Sequence, residues 1–555
     1  MTSPWWRGAI IYQVYPRSFL DTDGDGIGDL AGIVEKMGYI ASLGVDALWV
    51  SPFFKSPMKD YGYDVSDYRA VDPMFGQDSD ADRLIEAAHD HGLKLIIDMV
   101  LAHSSDRHAW FEESRVSRDN SKADWYVWAD PKPDGTPPNN WLSVFGGPAW
   151  QWESRRRQYY LRHFLKSQPN LNWHNPEVVR AMMGEVRFWL DRGVDGLRLD
   201  AITTMVHDQA LRDNPPLPAG GQSDVAGTPD NPFTYQEHRH SRDRPEIMER
   251  FAELRSLVDR YPDRFLMGEI ADVDTIAVSA KYTKGSGALH SCYNFQFTHE
   301  AFDRAHLTSV VSRTEHALED GWITYAFGNH DVMRAVSRWR RLTPLASDDR
   351  ALAKLLMACL FSLRGGACLY QGEELGLTEA DIAFEDLRDP WGIEFWPRFK
   401  GRDGCRTPMP WQSDAPAGGF TEGTPWLPLA EDHRPLAVDR QEADAESPLN
   451  FCRRFLAWRK ARPALLAGDI AILETTDPVF AFERSREDER LVCAFNIANA
   501  ETTIEAGDWT PLPAPGIAST LRDGRLTLPP FGTFFGRVGD LSSAVSLLDK
   551  GIEKV

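Results

Sequence analysis

The sequence is short of cysteine, of long apolar runs and of positive charge. Its six cysteines among 555 residues are scattered without paired spacing, so neither a disulfide framework nor a zinc site is predicted. No apolar run approaches the roughly 18 residues of a membrane-spanning helix, and the N-terminus lacks the basic start and apolar core of a signal peptide. We therefore expect a cytoplasmic protein without a membrane partner.

Basic residues are outnumbered, with 61 Lys and Arg against 82 Asp and Glu, which gives a formal net charge of −21. Nucleic acids and anionic membranes need a basic face, so neither is an expected partner. The hydrophobic fraction of 42% with 26% charged residues is typical of a soluble globular protein. The 19 tryptophans suit the flat faces of sugars, although a large core explains them equally well. We expect two or three domains in a monomer or homodimer.

Eight short strand-like runs recur along the chain, and most are followed by a helical pattern. Strands that alternate with helices predict a parallel sheet, and eight such units predict an α/β fold of the (β/α)8 TIM barrel class. The strand candidates are Ala9–Val14, Ala47–Ser51, Lys94–Val100, Gly196–Ala201, Phe265–Ile270, Ser291–Phe295, Ile323–Gly328 and Ala367–Gln371.

Three long connections interrupt this alternation, and the one after the third strand has room for an inserted domain. All three leave the C-terminal ends of strands, the face where barrel enzymes build their sites. Short β runs near the C-terminus predict a small antiparallel domain. The predicted division is a first barrel segment over residues 1–103, an inserted domain B over 104–173, a second barrel segment over 174–467 with long loops 212–245 and 373–448, a C-terminal β-sandwich over 468–540, and a tail or terminal helix over 541–555.

The stretch 193–201 predicts a short buried strand with an acid at its C-terminal end. Period-two alternation places Arg198 and Asp200 on one face of an otherwise apolar strand. The arginine would lower the pKa of the aspartate and keep it ionised, as a nucleophile requires. From these residues alone, a structural ion pair explains the pattern equally well.

Acids end three of the predicted strands, and two histidines and one arginine accompany them. Each acid alone is more easily explained as a cap or turn residue. Because barrel strands end at one mouth, their convergence predicts an active site there. The set is Asp200, Glu269, Asp331, His103, His330 and Arg198.

These motifs resemble glycoside hydrolase family 13, the α-amylase family, and within it the α-glucosidase and oligo-1,6-glucosidase branch. The resemblance covers about residues 4–540, and its matching stretches are 98–103, 168–172, 196–200, 268–269, 329–331 and 401–411. It implies a retaining enzyme in which Asp200 is the nucleophile, forming a covalent glucosyl intermediate, and Glu269 is the general acid/base. Two such carboxyls are expected about 5–5.5 Å apart. Repulsion from neighbouring ionised acids is expected to raise the pKa of Glu269.

The resemblance also implies a pocket for one terminal glucose, with Asp331 on the 2- and 3-hydroxyls. Asp60 would grip the 4-hydroxyl with Arg398 as its partner, so that together they close the pocket and make the enzyme exo-acting. Tyr63 would stack on the ring, and His103 and His330 would bind hydroxyls. The implied substrate-binding set is Asp60, Tyr63, His103, Phe145, Phe164, Arg198, His330 and Arg398.

Preference for substrate and acceptor is suggested by single positions. Relatives that favour α-1,6 links tend to carry valine directly after the nucleophile, so Ala201 favours maltose-type α-1,4 links in short oligosaccharides or glucosides. Asn170 departs from the aspartate usual in its motif. An α-glucosyltransferase or a sucrose- or maltose-isomerising enzyme remains an alternative, and some transglucosylation is expected in any case. A non-catalytic binding protein like the transporter heavy chains is a more distant alternative, because the three catalytic acids are intact and no membrane anchor is expected.

The loop 21–29 carries four aspartates at the spacing of a calcium-binding loop. Oxygen donors at positions 1, 3, 5 and 9 with a carbonyl at 7 match an EF-hand loop, but position 12 is Gly32 and no helix precedes. Four carboxylates this close repel one another without a cation, and the resemblance also implies a metal here. We expect structural Ca²⁺ or Mg²⁺ and no organic cofactor. The expected ligands are Asp21, Asp23, Asp25, Asp29 and the carbonyl of Ile27.

Overall fold

Eight runs of buried, mostly apolar residues form the strands of a closed barrel. Strands covered on both faces read as continuous apolar runs, as Ile10–Val14 and Ala47–Val50 do. The computed structural model describes residues 4–218, 221, 230–298, 301–341, 348–516 and 518–539. The barrel strands are β1 (Ile10–Val14), β2 (Ala47–Val50), β3 (Lys94–Met99), β4 (Gly196–Leu199), β5 (Phe265–Ile270), β6 (Ser291–Asn294), β7 (Ile323–Ala326) and β8 (Gly366–Tyr370).

Each barrel strand pairs in parallel with the next, and β1 closes the ring by pairing with both β2 and β8. The closing register sets Ile10 opposite Ala367 and Ile11 opposite Ala47. All eight strand candidates therefore occur, shifted at their ends by one or two residues at most. The (β/α)8 fold prediction is confirmed.

The helices begin where the sequence supplies caps. The Asn175 side chain accepts from the backbone N–H of Glu177 at 2.8 Å, and Pro176 opens the helix. No helix in the described ranges is long and apolar enough to cross a membrane. The α-helices are Leu30–Glu35, Met37–Ser42, Asp78–Asp90, Ala109–Ser114, Pro176–Asp191, Ile247–Val258, Thr275–Thr283, Arg304–Leu318, Ala335–Arg340, Asp349–Ser362, Pro390–Phe395, Val438–Ala443, Pro448–Lys460 and Pro463–Ala467.

The segment between β3 and β4 carries its own small sheet. Three antiparallel strands, Trp128–Ala129, Gln158–Leu161 and Trp150–Glu153, lie side by side in that order. Backbone bridges from His103 to Asn170 and from Tyr126 to Leu171 tie the base of this segment together. A two-stranded pair, Phe54–Lys55 with Asp67–Val71, follows β2. The longest inter-strand segment thus leaves the C-terminal end of β3.

The C-terminal part of the chain is antiparallel, as predicted. Its two sheets pack through an apolar cluster that includes Val492, Ala494 and Leu526. Residues 541–555, for which a tail or helix is predicted, lie outside the described residues. The larger sheet has the order Asp469–Ile472, Val479–Arg486, Glu489–Asn496, Thr533–Val538 and Trp509–Pro511, and the smaller one Thr502–Glu505, Arg525–Leu528 and Thr520–Arg522.

A fully buried arginine joins this C-terminal domain to the barrel. Arg484 donates through Nη1 to the Leu363 carbonyl at 2.8 Å, just beyond the helix that precedes β8. Its Nη2 and Nε donate to the carbonyls of Gly468 at 2.9 Å and Asp469 at 3.2 Å. Backbone carbonyls, rather than a directly bonded carboxylate, therefore compensate this buried charge, and burial lowers the pKa of Arg484 to about 9.

We predict that Arg484→Met lowers the free energy of unfolding by about 3 kcal/mol, because several buried carbonyls lose their donors. Urea unfolding measures the loss. Arg486→Met on the same strand is the control, since that arginine is partly exposed and pairs only loosely with Glu487 at 3.8 Å. Equal stability of the two variants would contradict the prediction.

Candidate active site

A cavity of about 160 Å³ opens at the C-terminal mouth of the barrel, where β4, β5 and β7 end. It has room for on the order of ten water molecules, which is close to the number of heavy atoms in one hexose. The predicted residues that line it are Asp60, Tyr63, His103, Phe145, Phe164, Asp200, Glu269 and Asp331. The structure therefore brings all three predicted catalytic acids to one cavity.

One buried guanidinium lies behind the floor of this cavity. Arg198, with 1% of its surface exposed, donates through Nη1 to Oδ1 of Asp200 and to Oδ1 of Asp98, both at 2.8 Å. Its Nη2 donates to Oε1 of Glu269. The two candidate catalytic carboxyls therefore bind different nitrogens of one arginine, which lies beside the candidate nucleophile as expected.

Burial decides the protonation of this pair. It raises the pKa of Asp200 to about 7 and that of Glu269 to about 7, while Arg198 opposes both shifts. Arg198 lowers the pKa of Asp200 as expected, but the expectation that it keeps this pKa low overall is wrong, because the opposing effect of desolvation is larger. For Glu269 the expected direction holds, but burial is the larger cause and repulsion from Asp200 and Asp331 adds to it. Burial thus favours the protonated form of each carboxyl, which is the form that a general acid needs before it can donate a proton.

The backbone next to the candidate nucleophile also contacts the candidate acid/base. Ala201 donates its N–H to Oε2 of Glu269 at 3.0 Å. Ala201 has φ 43° and ψ 40°, in the left-handed region that few residues other than glycine adopt. A β-branched side chain would be strained there, so this backbone conformation favours a small residue.

Asp331 lies among positive groups at the far side of the cavity. Its Oδ1 accepts from Arg406 Nη2 at 2.7 Å and from Arg402 Nη1 at 3.1 Å, and its Oδ2 lies 3.2 Å from His330 Nε2. Burial opposes the ionisation of Asp331, but His330 and the two guanidinium groups hold its pKa well below the usual range. Asp331 therefore presents a fixed negative charge.

The predicted partner of Asp60 is wrong. Arg402, not Arg398, donates to Oδ1 of Asp60, at 3.0 Å from Nη2, and it also contacts Asp331. Asp389 anchors its guanidinium through Nη2 at 2.7 Å and Nε at 3.1 Å. The Arg398 side chain is 70% exposed and pairs with Asp230 at the surface. Arg398 lies just after the helix Pro390–Phe395, whereas Arg402 directly follows Gly401, whose φ of 79° is in the left-handed region.

The remaining polar residues form a connected network. Tyr63 Oη lies 2.7 Å from His330 Nε2, and the two rings are parallel at 5.5 Å. His330 is fully buried and lies behind the residues that line the cavity, unlike the expectation that it binds a sugar hydroxyl directly. His103 lines the cavity, its Nε2 is 3.0 Å from the Tyr63 carbonyl, and burial lowers its pKa to about 4. Gln168 donates to Oδ2 of Asp60 at 3.0 Å.

Aromatic rings form one wall of the cavity. Phe145 packs edge-on against Phe164 at 5.7 Å and stacks on Trp391 at 5.3 Å. The sequence motifs contained Gln168 and Arg402 without singling them out. Trp391 and Arg242, which also line the cavity, come from the two long loops and carried no local signal.

The departure at Asn170 has a structural reason. Its Oδ1 accepts from the backbone N–H of His163 at 3.0 Å. Its Nδ2 donates to the carbonyls of Ala102 at 3.3 Å and Thr204 at 3.2 Å. A carboxylate could not donate to these carbonyls, so the amide links the inserted segment to the loops that follow β3 and β4.

Three of the four predicted acidic metal ligands come together in the loop after β1. One carboxylate oxygen each from Asp21, Asp23 and Asp29 lies within 4.8 Å of the others. Oxygen donors at this spacing fit a hard divalent cation. Asp25 is not part of this cluster within the described chain; it is exposed, and its Oδ1 accepts from the N–H of Ile27 at 2.7 Å.

Comparison with known proteins gives consistent matches along the chain. The family model described as the α-amylase catalytic domain matches residues 13–468. A "Probable alpha-glucosidase" from Rhizobium meliloti (strain 1021) is 52% identical over 540 residues, covering 96% of this chain and 97% of that protein. An "Oligo-1,6-glucosidase" from Heyndrickxia coagulans is 36% identical over 91% of this chain and 94% of its own length. The crystal structure of an "alpha-glucosyl transfer enzyme, XgtA" superimposes with a TM-score of 0.94 at 53% identity, covering 97% of this chain and all of that one.

We predict that Glu269→Gln changes how stability depends on pH. A carboxyl whose pKa is raised by folding stabilises the protein below its unfolded pKa, and that stability is lost as pH rises through about 7. The variant cannot lose a proton there. Relative to the parent protein, its free energy of unfolding should therefore rise by about 3 kcal/mol between about pH 4.5 and about pH 8.

Thermal unfolding across this pH range checks the prediction. Glu431→Gln, which changes a carboxyl in an exposed ion pair with Arg434, is the matched control. Parallel pH curves for the Glu269 variant and the parent protein would show that this carboxyl does not titrate as inferred.

Proposed function

The chain belongs to the α-amylase family, glycoside hydrolase family 13, and from that premise we propose that it is an exo-acting, retaining α-glucosidase. Its glycoside hydrolase activity of the α-glucosidase type follows from the family match and the curated relatives. The observation that carries the finer proposal is the pair of carboxyls that share Arg198 in a cavity the size of one sugar.

In the proposed mechanism Asp200 attacks the anomeric carbon while Glu269 gives its proton to the glycosidic oxygen. The glycosidic bond breaks, and a covalent glucosyl ester forms on Asp200. Glu269, now ionised, takes a proton from water, and the hydroxide attacks the same carbon and releases Asp200. Two inversions give net retention. Arg198 supports both steps, because it contacts whichever of the two carboxyls is charged.

Asp331 supplies the electrostatic part of the reaction. Arg402 and Arg406 bond its Oδ1, so we assign Oδ2, which also lies 3.2 Å from His330 Nε2, to the 2- and 3-hydroxyls of the sugar. Because the carboxylate is fixed in its ionised state before substrate binds, it can stabilise positive charge that develops at the anomeric carbon.

Exo-specificity is proposed from the closed end of the cavity. Arg402 joins Asp60 to Asp331, and Asp389 holds this bridge from behind. A chain that continued beyond the 4-hydroxyl of the bound glucose would have to displace this buried ion-paired cluster. Only a terminal non-reducing residue fits without that cost.

Two finer preferences are proposed. Ala201, held in a left-handed conformation beside the nucleophile, leaves room for maltose-type α-1,4 links. Transfer to a sugar hydroxyl is the second candidate outcome, and the similarity to an "alpha-glucosyl transfer enzyme" favours it. Both outcomes use the same glucosyl intermediate and differ only in which hydroxyl attacks it.

We also infer a structural Ca²⁺ or Mg²⁺ held by Asp21, Asp23 and Asp29, with the Ile27 carbonyl as the further expected ligand. A bound cation would neutralise three carboxylates that otherwise repel one another. The loop is fixed to a distant part of the chain by Thr421, which donates to Asp21, so the cation would act on stability rather than on chemistry.

We predict that Arg402→Lys lowers kcat/KM on maltose by about a hundredfold, since one ammonium cannot replace the fork that bonds Asp60 and Asp331. Arg398→Lys is the matched control and should stay within about twofold, because that side chain is exposed. Steady-state kinetics on both variants measure this. The reverse pattern would restore Arg398 as the partner of Asp60.

We predict that an NMR time course shows α-glucose as the first anomer released, and faster release from maltose than from isomaltose or sucrose. The α anomer is expected because a retaining mechanism keeps the configuration at the anomeric carbon. The order of substrates is expected because Ala201 is proposed to favour maltose-type α-1,4 links.

We predict that Asp200→Asn reduces turnover by about four orders of magnitude while the fold persists.

The outcomes of this time course separate the parts of the proposal. Early β-glucose, or near-normal turnover by the Asp200 variant, would overturn the mechanism. Faster isomaltose or sucrose turnover would remove only the linkage preference. Longer or rearranged glucosides as the main product at high substrate concentration would favour transfer over hydrolysis.

A further inference from the structure

Arg406 lies directly behind the cavity wall without being part of it. Its side chain is 1% exposed, and it is not among the described residues that line the cavity. Its Nε donates to the backbone carbonyl of His330 at 2.6 Å, and its Nη2 donates to Oδ1 of Asp331 at 2.7 Å. One guanidinium thus bonds the main chain of His330 and the side chain of the next residue, Asp331.

We propose that Arg406 is a positioning residue that aims Oδ2 of Asp331 at the sugar. The proposal rests on the proposed function, because it assumes that Asp331 holds hydroxyls of the substrate. With Oδ1 fixed by Arg406, rotation of the Asp331 carboxylate would break a charge-assisted hydrogen bond. The bond to the His330 carbonyl stops the peptide that carries Asp331 from turning.

Arg402 and Arg406 both contact Oδ1 of Asp331, but their positions differ. Arg402 lines the cavity and also binds Asp60, so its loss changes the sugar pocket itself. Arg406 is not among the described residues that line the cavity, and its hydrogen bonds in this direction go to Asp331 and to the His330 carbonyl. Its loss should therefore affect the transition state, where the charge on Asp331 matters most, more than the binding of the ground state.

The surroundings of Arg406 are built to hold it still. Its guanidinium lies 5.3 Å from the Tyr15 ring, and that ring stacks on His330 at 5.6 Å with an interplanar angle of 18°. Ser18 donates its hydroxyl to the Arg406 carbonyl. Arg334 Nη2 donates to the adjacent Cys405 carbonyl at 3.0 Å. Lysine at position 406 would keep the charge but could not make both of the fork's bonds in this geometry.

The test compares Arg406→Lys with Arg459→Lys. Arg459 is the matched control, because it is 1% exposed, bonds backbone carbonyls away from the cavity and does not contact Asp331 in the described chain. On 4-nitrophenyl α-glucoside we expect Arg406→Lys to lower kcat by about thirtyfold and to change KM by less than about threefold. Arg459→Lys should lower the melting temperature to a similar degree but leave kcat within about twofold.

A 2-deoxyglucosyl donor provides a readout that a merely structural role would not move. This donor lacks one hydroxyl that Asp331 is proposed to hold. The factor by which Arg406→Lys lowers kcat should therefore be several-fold smaller with this donor than with 4-nitrophenyl α-glucoside. Equal losses on both donors, or the same kcat loss in the Arg459 variant, would overturn the positioning role. If Arg406→Lys does not fold, Arg406→Gln, which keeps one uncharged donor, takes its place in the same comparison. Failure of the proposed function would look different, since the parent protein itself would then release β-glucose or no glucose.

Discussion

The site depends on one constraint: the negative charge of carboxylates buried at the barrel mouth must be balanced by nearby positive charge. Two buried arginines do this, and each contacts three carboxylates, as the ion pairs of the cavity show. The sets are Asp98, Asp200 and Glu269 around Arg198, and Asp60, Asp331 and Asp389 around Arg402. An uncompensated charge at such depth would cost several kcal/mol. The first arginine organises the reacting carboxyls, and the second organises the sugar-binding ones.

The two clusters differ in protonation because their charge balance differs. Around Arg198, burial raises the pKa of Asp200 and of Glu269, which favours their protonated forms. Around Asp331, a second arginine is added, and the pKa of that carboxyl is held low. A carboxyl whose protonation is favoured and a fixed anion therefore line the same small cavity. This is the combination that proton transfer to a leaving oxygen, with stabilisation of a positive sugar ring, requires.

The sequence predicts the barrel well because burial and strand period are local properties. β5 (Phe265–Ile270) has the predicted bounds, and topology then brings Asp200, Glu269 and Asp331 to one mouth. The prediction of site residues was poorer in the long loops, where neither burial nor strand period gives a local pattern. Arg398 and Arg402 stand four residues apart in a long irregular loop, and only the path of the chain decides which one turns inward. The rise in the pKa of Asp200 was missed for a related reason, since the depth of burial is set by loops far away in the sequence.

Hydrolysis and glucosyl transfer differ outside both clusters. In the proposed mechanism the glucosyl ester on Asp200 is the same for either acceptor, so Arg198 and Arg402 cannot distinguish them. Arg242 lines the cavity outside both clusters, and it donates to Thr203 Oγ1 at 3.1 Å and to the Ala271 carbonyl. These contacts tie a long loop to the segments that follow Asp200 and Glu269. The buried charges stand on the barrel strands and the loops just beyond them, whereas this part of the cavity wall comes from a long loop, where sequence can vary without disturbing those charges.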